Sequence, residues 1–168
     1  MTGEPEVVLE RLRPGHAPAL LEFELVNRAW FARSIPDRGD HYFAEFDDRH
    51  AALLAEQATG ACHFHVLADE TGAIVGRFNL VDVRDGSAEL GFRMAERAAG
   101  RGLAKRGVRR VCDVARDEYG LQRLTARASP HNAGSLGVLR ATGFVVAGTG
   151  ALATGDEFVR HVRELRVG

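Results

Sequence analysis

The mostly apolar run Val7-Val8-Leu9-Glu10-Arg11-Leu12 reads as a first strand, and Pro14-Gly15 breaks it. A helical period follows. Leu20, Leu21, Phe23, Val26 and Trp30 recur at helical spacing and predict a helix over residues 17–31. Residues 35–40 read as a loop. Asp40 is placed to cap a second helix over residues 41–57, which Gly60 closes. Three strands are predicted next, over residues 62–67, 73–83 and 88–94. They are separated by the turn signals Asp69-Glu70-Thr71-Gly72 and Arg84-Asp85-Gly86. After Ala98-Ala99-Gly100-Arg101-Gly102 a helix begins. Its apolar stripe is Ala104, Val108, Val111, Cys112, Ala115 and Tyr119, and Gly120 stops it. A strand over residues 124–128 is followed by a short helix over 133–142, closed by Gly143. Two last strands are predicted over 144–147 and 158–167. The order β-α-α-β-β-β-α-β-α-β-β predicts an α+β (mixed α/β) fold. With no repeat or linker, residues 1–168 read as a single domain.

Composition narrows the picture. Hydrophobic residues make up 45% of the 168 residues and charged residues 27%, the balance of a soluble globular chain. The net charge of -1 asks for neither nucleic acid nor an anionic membrane. No apolar run approaches the roughly 20 residues of a membrane span. The acidic start, Met1 to Glu6, does not read as a signal peptide, so a cytoplasmic protein is expected. Two cysteines are too few for a disulfide framework, and Cys112 on the helix stripe reads as a buried thiol.

The most informative stretch is strand, then Gly100-Arg101-Gly102-Leu103-Ala104, then helix. Glycines at such a join let the backbone turn sharply and approach a ligand. The unpaired N–H groups of the helix's first turn favour an anion, and a pyrophosphate suits them. The spacing is not the dinucleotide fingerprint, since Lys105 stands where the third glycine would be. Nor does it carry the G-K-[ST] ending of a phosphate-binding P-loop.

The second stretch is Asn132-Ala133-Gly134-Ser135-Leu136-Gly137-Val138-Leu139-Arg140-Ala141-Thr142-Gly143-Phe144. A helix-opening Asn, a small residue three on, and Gly-Phe eleven and twelve on resemble the last motif of the GNAT acetyltransferase superfamily. Gly100 to Ala104 resembles that superfamily's pyrophosphate loop. The Asn-x-x-Ser form and the leading helix around Glu22 to Trp30 resemble the RimJ/RimL-like branch, bacterial enzymes that acetylate ribosomal-protein N-termini. The resemblance implies a mostly antiparallel sheet of six to seven strands, splayed at its centre, with about four helices. The splaying strands would be residues 88–94 and 123–128, with pantetheine between them. It also implies acetyl-CoA as cofactor, an amine acceptor as partner, and a monomer or homodimer. Phe92, Arg93, Met94, Ala99, Gly100, Arg101, Gly102, Leu103, Ala104, Asn132 and Arg140 are the expected cofactor contacts. Two positions depart from the pattern: Ala99 stands where Gln or Arg is usual, and Leu139 where many members carry a tyrosine acid.

Acetyl transfer to an amine needs a neutral amine, a polarised carbonyl and a proton for the leaving thiolate. Glu89 is the candidate base, or else a solvated strand carboxylate. Ser135 is the candidate proton donor, or else a small residue chosen for packing. Asn132 suits both a helix cap and a cofactor contact. Trp30, Phe31 and Ile35 line a substrate cleft or belong to the core, and Asn27 and Arg28 are candidate substrate contacts. His63 and His65 share one strand face as surface or cleft residues. No third ligand of suitable spacing accompanies them, so no metal is expected. Three functions follow: an N-terminal acetyltransferase, an acetyltransferase of a small amine such as an aminoglycoside or polyamine, and an acyl-CoA-binding module without turnover.

Overall fold

The computed structural model describes residues 6–165. The strands are β1 (Val7–Arg11), β2 (His63–Asp69), β3 (Ile74–Arg84), β4 (Ser87–Met94), β5 (Arg123–Ala128), β6 (Val145–Ala151) and β7 (Glu157–Glu164). The helices are α1 (Ala17–Val26), α2 (Arg28–Ala32), α3 (Asp40–Ala44), α4 (Phe46–Ala58), α5 (Leu103–Asp117) and α6 (Ala133–Ala141). All seven strands form one sheet in the order β1-β2-β3-β4-β5-β7-β6. Neighbours run antiparallel except β4 and β5, which are parallel. A parallel pair needs a crossover, and α5 is that crossover.

Alternation decides which face each helix covers. On β3, Phe78 and Leu80 are wholly buried towards α5. The helix seats there through Gly107, where a Cβ would come within 2.7 Å of three Phe78 ring carbons. A bare backbone is therefore required at that contact. Arg77, on the opposite face, reaches α1 and donates to Glu24 at 2.8 Å. Arg38 (3.1 Å) and Arg93 (3.3 Å) donate to the same carboxylate. Burial opposes ionisation of Glu24, but the three guanidiniums outweigh it and hold its pKa below the ordinary value. This cluster ties α1 and the following loop to β3 and β4.

Several boundaries differ from the sequence expectation, among them β6, which runs over Val145–Ala151 rather than 144–147. The helix expected over residues 17–31 is two, α1 and α2, because Asn27 leaves helical geometry at φ -100° and ψ 9°. Its Nδ2 donates to the Phe23 carbonyl and its Oδ1 accepts from the Glu96 amide. The second predicted helix is likewise divided, into α3 and α4. Asp40 does not cap it: Gly39 is the N-cap residue, and the Asp40 carboxylate accepts from Arg28 at 2.8 Å. The last strand is β7, and residues 166–167 of the strand expected over 158–167 lie outside the described residues.

Candidate active site

The parallel register of β4 and β5 runs from Ser87↔Arg123 to Leu90↔Ala126 and stops there, although both strands continue. Beyond Leu90 and Ala126 the strands separate. A cavity of about 280 Å³ fills the opening. Its walls are Phe92, Arg93 and Met94 of β4, Asn132, Gly134, Ser135 and Val138 around α6, Ala99, Gly100 and Ala104 at the start of α5, and Trp30, Phe31, Ser34 and Ile35 above.

Its mouth is the glycine loop. Gly100 (φ +75°) and Gly102 (φ +73°) are left-handed, and Gly102 is the N-cap of α5. A Cβ at either would meet no protein atom within 4 Å, so both face open space. The first intrahelical bond is from Arg106 N to Gly102 O, which leaves the amides of residues 103–105 without a helical partner. Such a helix end attracts anions. Asn27 supports this loop from below through its bond to Glu96, the first residue of the turn leading into it.

A second cavity, about 700 Å³, adjoins the first and shares Ser34 and Ile35 with it. Glu89, Leu90, Gly91, Arg127 and the turn between β6 and β7 line it. Arg127 donates to both Glu89 oxygens, from Nε at 2.6 Å and Nη2 at 3.2 Å. Asp156 and Glu157 stand on the rim. Glu89 therefore faces a cleft rather than open solvent.

The expected site residues divide accordingly. Phe92, Arg93, Met94, Ala99, Gly100, Ala104, Asn132 and Ser135 are gathered around the smaller cavity. Asn132 is also the cap of α6, its Oδ1 accepting from Ser135 N at 3.1 Å. Arg93 stacks over the Phe31 ring at 4.6 Å. Burial, with repulsion from Arg38 and Arg77, brings Arg93 down to about 10. Trp30 and Phe31, expected in a substrate cleft or in the core, line the smaller cavity and pack with the core. Arg101 and Leu103 line a separate recess with Arg97 and Asp69. Arg140 is exposed at the end of α6, away from both cavities. Asn27 and Arg28 are not at the cleft either. Asn27 is buried with its amide bonded at both ends, and Arg28 clasps Asp37 and Asp40 while lying over the Phe43 ring. Leu139 is packed in the core, and the residue that the helix turns to the cavity is Val138. Neither can donate a proton.

Sequence reading missed Arg127 and the β6–β7 turn. Two-residue alternation on β5 was the available signal for Arg127. The Thr154-Gly155-Asp156 turn chemistry was the signal for the second hairpin. His63 and His65, expected as surface or cleft residues, share a face and are buried; with Arg11 and Tyr119 they line a recess separate from the two cavities. Tyr119 stacks on His63 at 3.7 Å and bonds His65 Nε2 at 2.6 Å.

A family model described as an acetyltransferase (GNAT) domain matches residues 6–145. The chain belongs to the GNAT acetyltransferase family. Over 86 residues it is 29% identical to the uncharacterized N-acetyltransferase p20 of Bacillus licheniformis, a match spanning 50% of this chain and 48% of the relative. The chain thus matches about half the length of that curated relative. Its fold is similar to that of ribosomal-protein-S5-alanine acetyltransferase from Vibrio fischeri, with TM-score 0.88 and 19% identity, covering 94% of this chain and 92% of the other. RimJ of Mycobacterium smegmatis, solved in complex with CoA-disulfide, aligns with TM-score 0.83 and 22% identity over 94% and 81% of the two chains. A spermidine N-acetyltransferase SpeG mutant of Vibrio cholerae aligns with TM-score 0.76 and 16% identity over 94% and 95%. At these identities the likeness carries the fold alone.

Proposed function

We propose that this GNAT chain is an acetyl-CoA-dependent N-acetyltransferase whose acceptor is a protein or peptide N-terminal α-amine, acting in the cytoplasm. The observation that carries this reading is the meeting of two cavities at Ser34 and Ile35, one beside an open helix N-terminus and the other beside Glu89. The residues of the smaller cavity fit the cofactor. The glycine loop and the amides of residues 103–105 suit a pyrophosphate, and Trp30, Phe92, Met94 and Val138 give apolar walls to a thin chain. Bound acetyl-CoA supplies the activated acetyl thioester. Glu89, held by Arg127, takes the proton that the amine must lose, and Ser135, on the first turn of α6, supplies one to the departing thiolate.

An α-amine suits this modest equipment. Its pKa is about 7.7–8.0, against about 10.4 for a lysine side chain. Near pH 7.4 about a fifth to a third of α-amines are neutral already, against about one lysine in a thousand. One observation favours a second reading, a small polyamine: the wide cleft has three carboxylates, Glu89, Asp156 and Glu157, against the single guanidinium of Arg127.

The test incubates the protein with acetyl-CoA and three probes, with thiol release as readout. They are a short peptide with a free N-terminus, the same peptide blocked at the N-terminus but carrying a lysine, and spermidine. The free-N-terminus peptide is expected to react fastest. Faster reaction of the blocked peptide, or reaction of spermidine alone, overturns the α-amine assignment. Tight acetyl-CoA binding with no release for any probe marks an acyl-CoA-binding module.

A further inference from the structure

We infer that Asn79 binds the acceptor amine, holding it over a bare patch of sheet at Gly91. The inference rests on the acetyltransferase reading above and adds a residue to it. In the β3–β4 register Arg77 faces Arg93, Asn79 faces Gly91, and Val81 faces Glu89. Directly paired residues point to the same side of the sheet. That side is fixed by Arg77 and Arg93, which both reach Glu24 on α1. Asn79 and Glu89 thus stand on the side that α2 and its loop cover.

Gly91 lies between them and presents no side chain. A Cβ there would meet nothing within 4 Å, and its φ is not positive, so neither the backbone nor packing demands glycine. Gly91 and Leu90 line the wide cleft, while Phe92, Arg93 and Met94 line the narrow cavity. The space over Gly91 is therefore at the border where an acceptor from one side meets a thioester from the other.

Asn79 is half-buried, yet its Oδ1 is shielded from solvent and has no hydrogen-bond partner among the described residues. An orphaned buried acceptor carries a desolvation cost, and natural proteins rarely keep one without use. Cross-strand Cβ positions lie about 4.5–5.5 Å apart. The Asn79 amide thus stands beside the empty position, with Glu89 two residues along β4 on the other side. As it stands Asn79 lines neither cavity and its Oδ1 is shielded, so the amide must turn about its last, soft torsion to bring Oδ1 over Gly91; an amine nitrogen there then donates one N–H to it and directs another towards Glu89. Its lone pair is left to point into the narrow cavity. Asn79 orients the nucleophile in this arrangement, and Glu89 takes the proton.

The test uses Asn79→Leu, which keeps the shape and removes the acceptor, and Gly91→Ala, which adds a methyl group to open space. Rates are measured with the free-N-terminus peptide and, separately, with spermidine. Acetyl-CoA affinity is measured by calorimetry, and melting temperature is recorded. Asn79→Leu is expected to lower kcat/KM for the acceptor roughly tenfold, the worth of one hydrogen bond, with acetyl-CoA affinity within twofold and melting temperature unchanged or higher. Gly91→Ala is expected to raise the acceptor KM with the fold intact. If kcat/KM stays within twofold in both variants, the inference is overturned. A fall in melting temperature together with lost acetyl-CoA affinity in Asn79→Leu also overturns it, by marking a structural role. A wild-type protein that turns over spermidine but not the peptide overturns the α-amine reading alone, and the variants are then judged on spermidine. A wild type that acetylates neither probe overturns both.

Discussion

Arg127 grips Glu89 across the last stretch on which β4 and β5 still pair, with Nε 2.6 Å from one carboxylate oxygen and Nη2 3.2 Å from the other. Glu89 pairs with Thr125 in the parallel register, and Arg127 lies two residues on, past the point where pairing stops. The carboxylate is therefore oriented at the mouth of the split. A carboxylate has about four lone-pair sites, so two bonds from Arg127 leave room for a proton from the amine side.

If Glu89 takes the amine proton, Glu89→Gln should slow turnover by about a hundredfold, and most strongly at low pH. There the acceptor is mainly protonated and removal of its proton matters most. The check is kcat/KM of mutant and wild type from pH 6 to pH 9 with one peptide acceptor. A mutant-to-wild-type ratio that stays level with pH would assign Glu89 to structure only.

The glycine loop gives a cofactor prediction. Gly102 is left-handed at φ +73°, and the space beyond it is open. A side chain there strains the backbone by roughly 1–3 kcal/mol and projects to where the pyrophosphate would lie. Gly102→Val should lose acetyl-CoA affinity in a protein that still folds, and Gly102→Ala should lose less. Calorimetry with acetyl-CoA, beside circular dichroism, measures both. Unchanged affinity in folded Gly102→Val would remove the loop from the cofactor site.

Much of this was legible in the sequence, and what was not has a common cause. Period and turn chemistry marked β2, β3, β4 and α5, because those signals are local. The motif at Asn132 to Phe144 located the cap and Ser135. Long-range partners were not legible. The Asn27 bond to Glu96 spans 69 residues, and the Arg127 bond to Glu89 spans 38. Asn27 and Arg28 are candidate substrate contacts in the sequence because they open the segment of Trp30, Phe31 and Ile35. Only the fold reveals that one braces the loop and the other clasps Asp37 and Asp40. The same holds for His63 and His65. Alternation set their common face, but nothing local indicated that Tyr119 would cover it.

Val138 facing the cavity and Leu139 in the core leave Ser135 as the hydroxyl on the α6 wall. A free thiol has a pKa near 8.5, so a proton donor assists its departure without being indispensable. Ser135→Ala should lower kcat by about one to two orders of magnitude and leave acetyl-CoA affinity nearly unchanged. Steady-state kinetics at saturating acetyl-CoA decide it, and wild-type kcat in the mutant would refute the role.

The histidine pair gives a prediction about acid stability. His65 Nδ1 donates to the Phe78 carbonyl, so its Nε2 is the acceptor for the Tyr119 hydroxyl. Arg11 donates to both the Tyr119 oxygen and His63 Nδ1. Both imidazoles are thus bound in their neutral form. Burial, with added repulsion from Arg11, lowers both pKa values, that of His65 to about 4. The unfolded chain binds a proton at this histidine near pH 6.5, whereas the folded chain resists until about pH 4. The contribution is therefore complete above pH 6.5 and is lost as pH falls from there towards 4. For His65 alone it amounts to roughly 3 kcal/mol. Melting temperature should drop through that window in the wild type. In His65→Gln, which cannot titrate, the protein should start less stable at pH 7.5 and fall less steeply on acidification. Parallel curves for the two proteins between pH 7 and pH 4.5 would show that the contact at Tyr119 is not the acid-sensitive element.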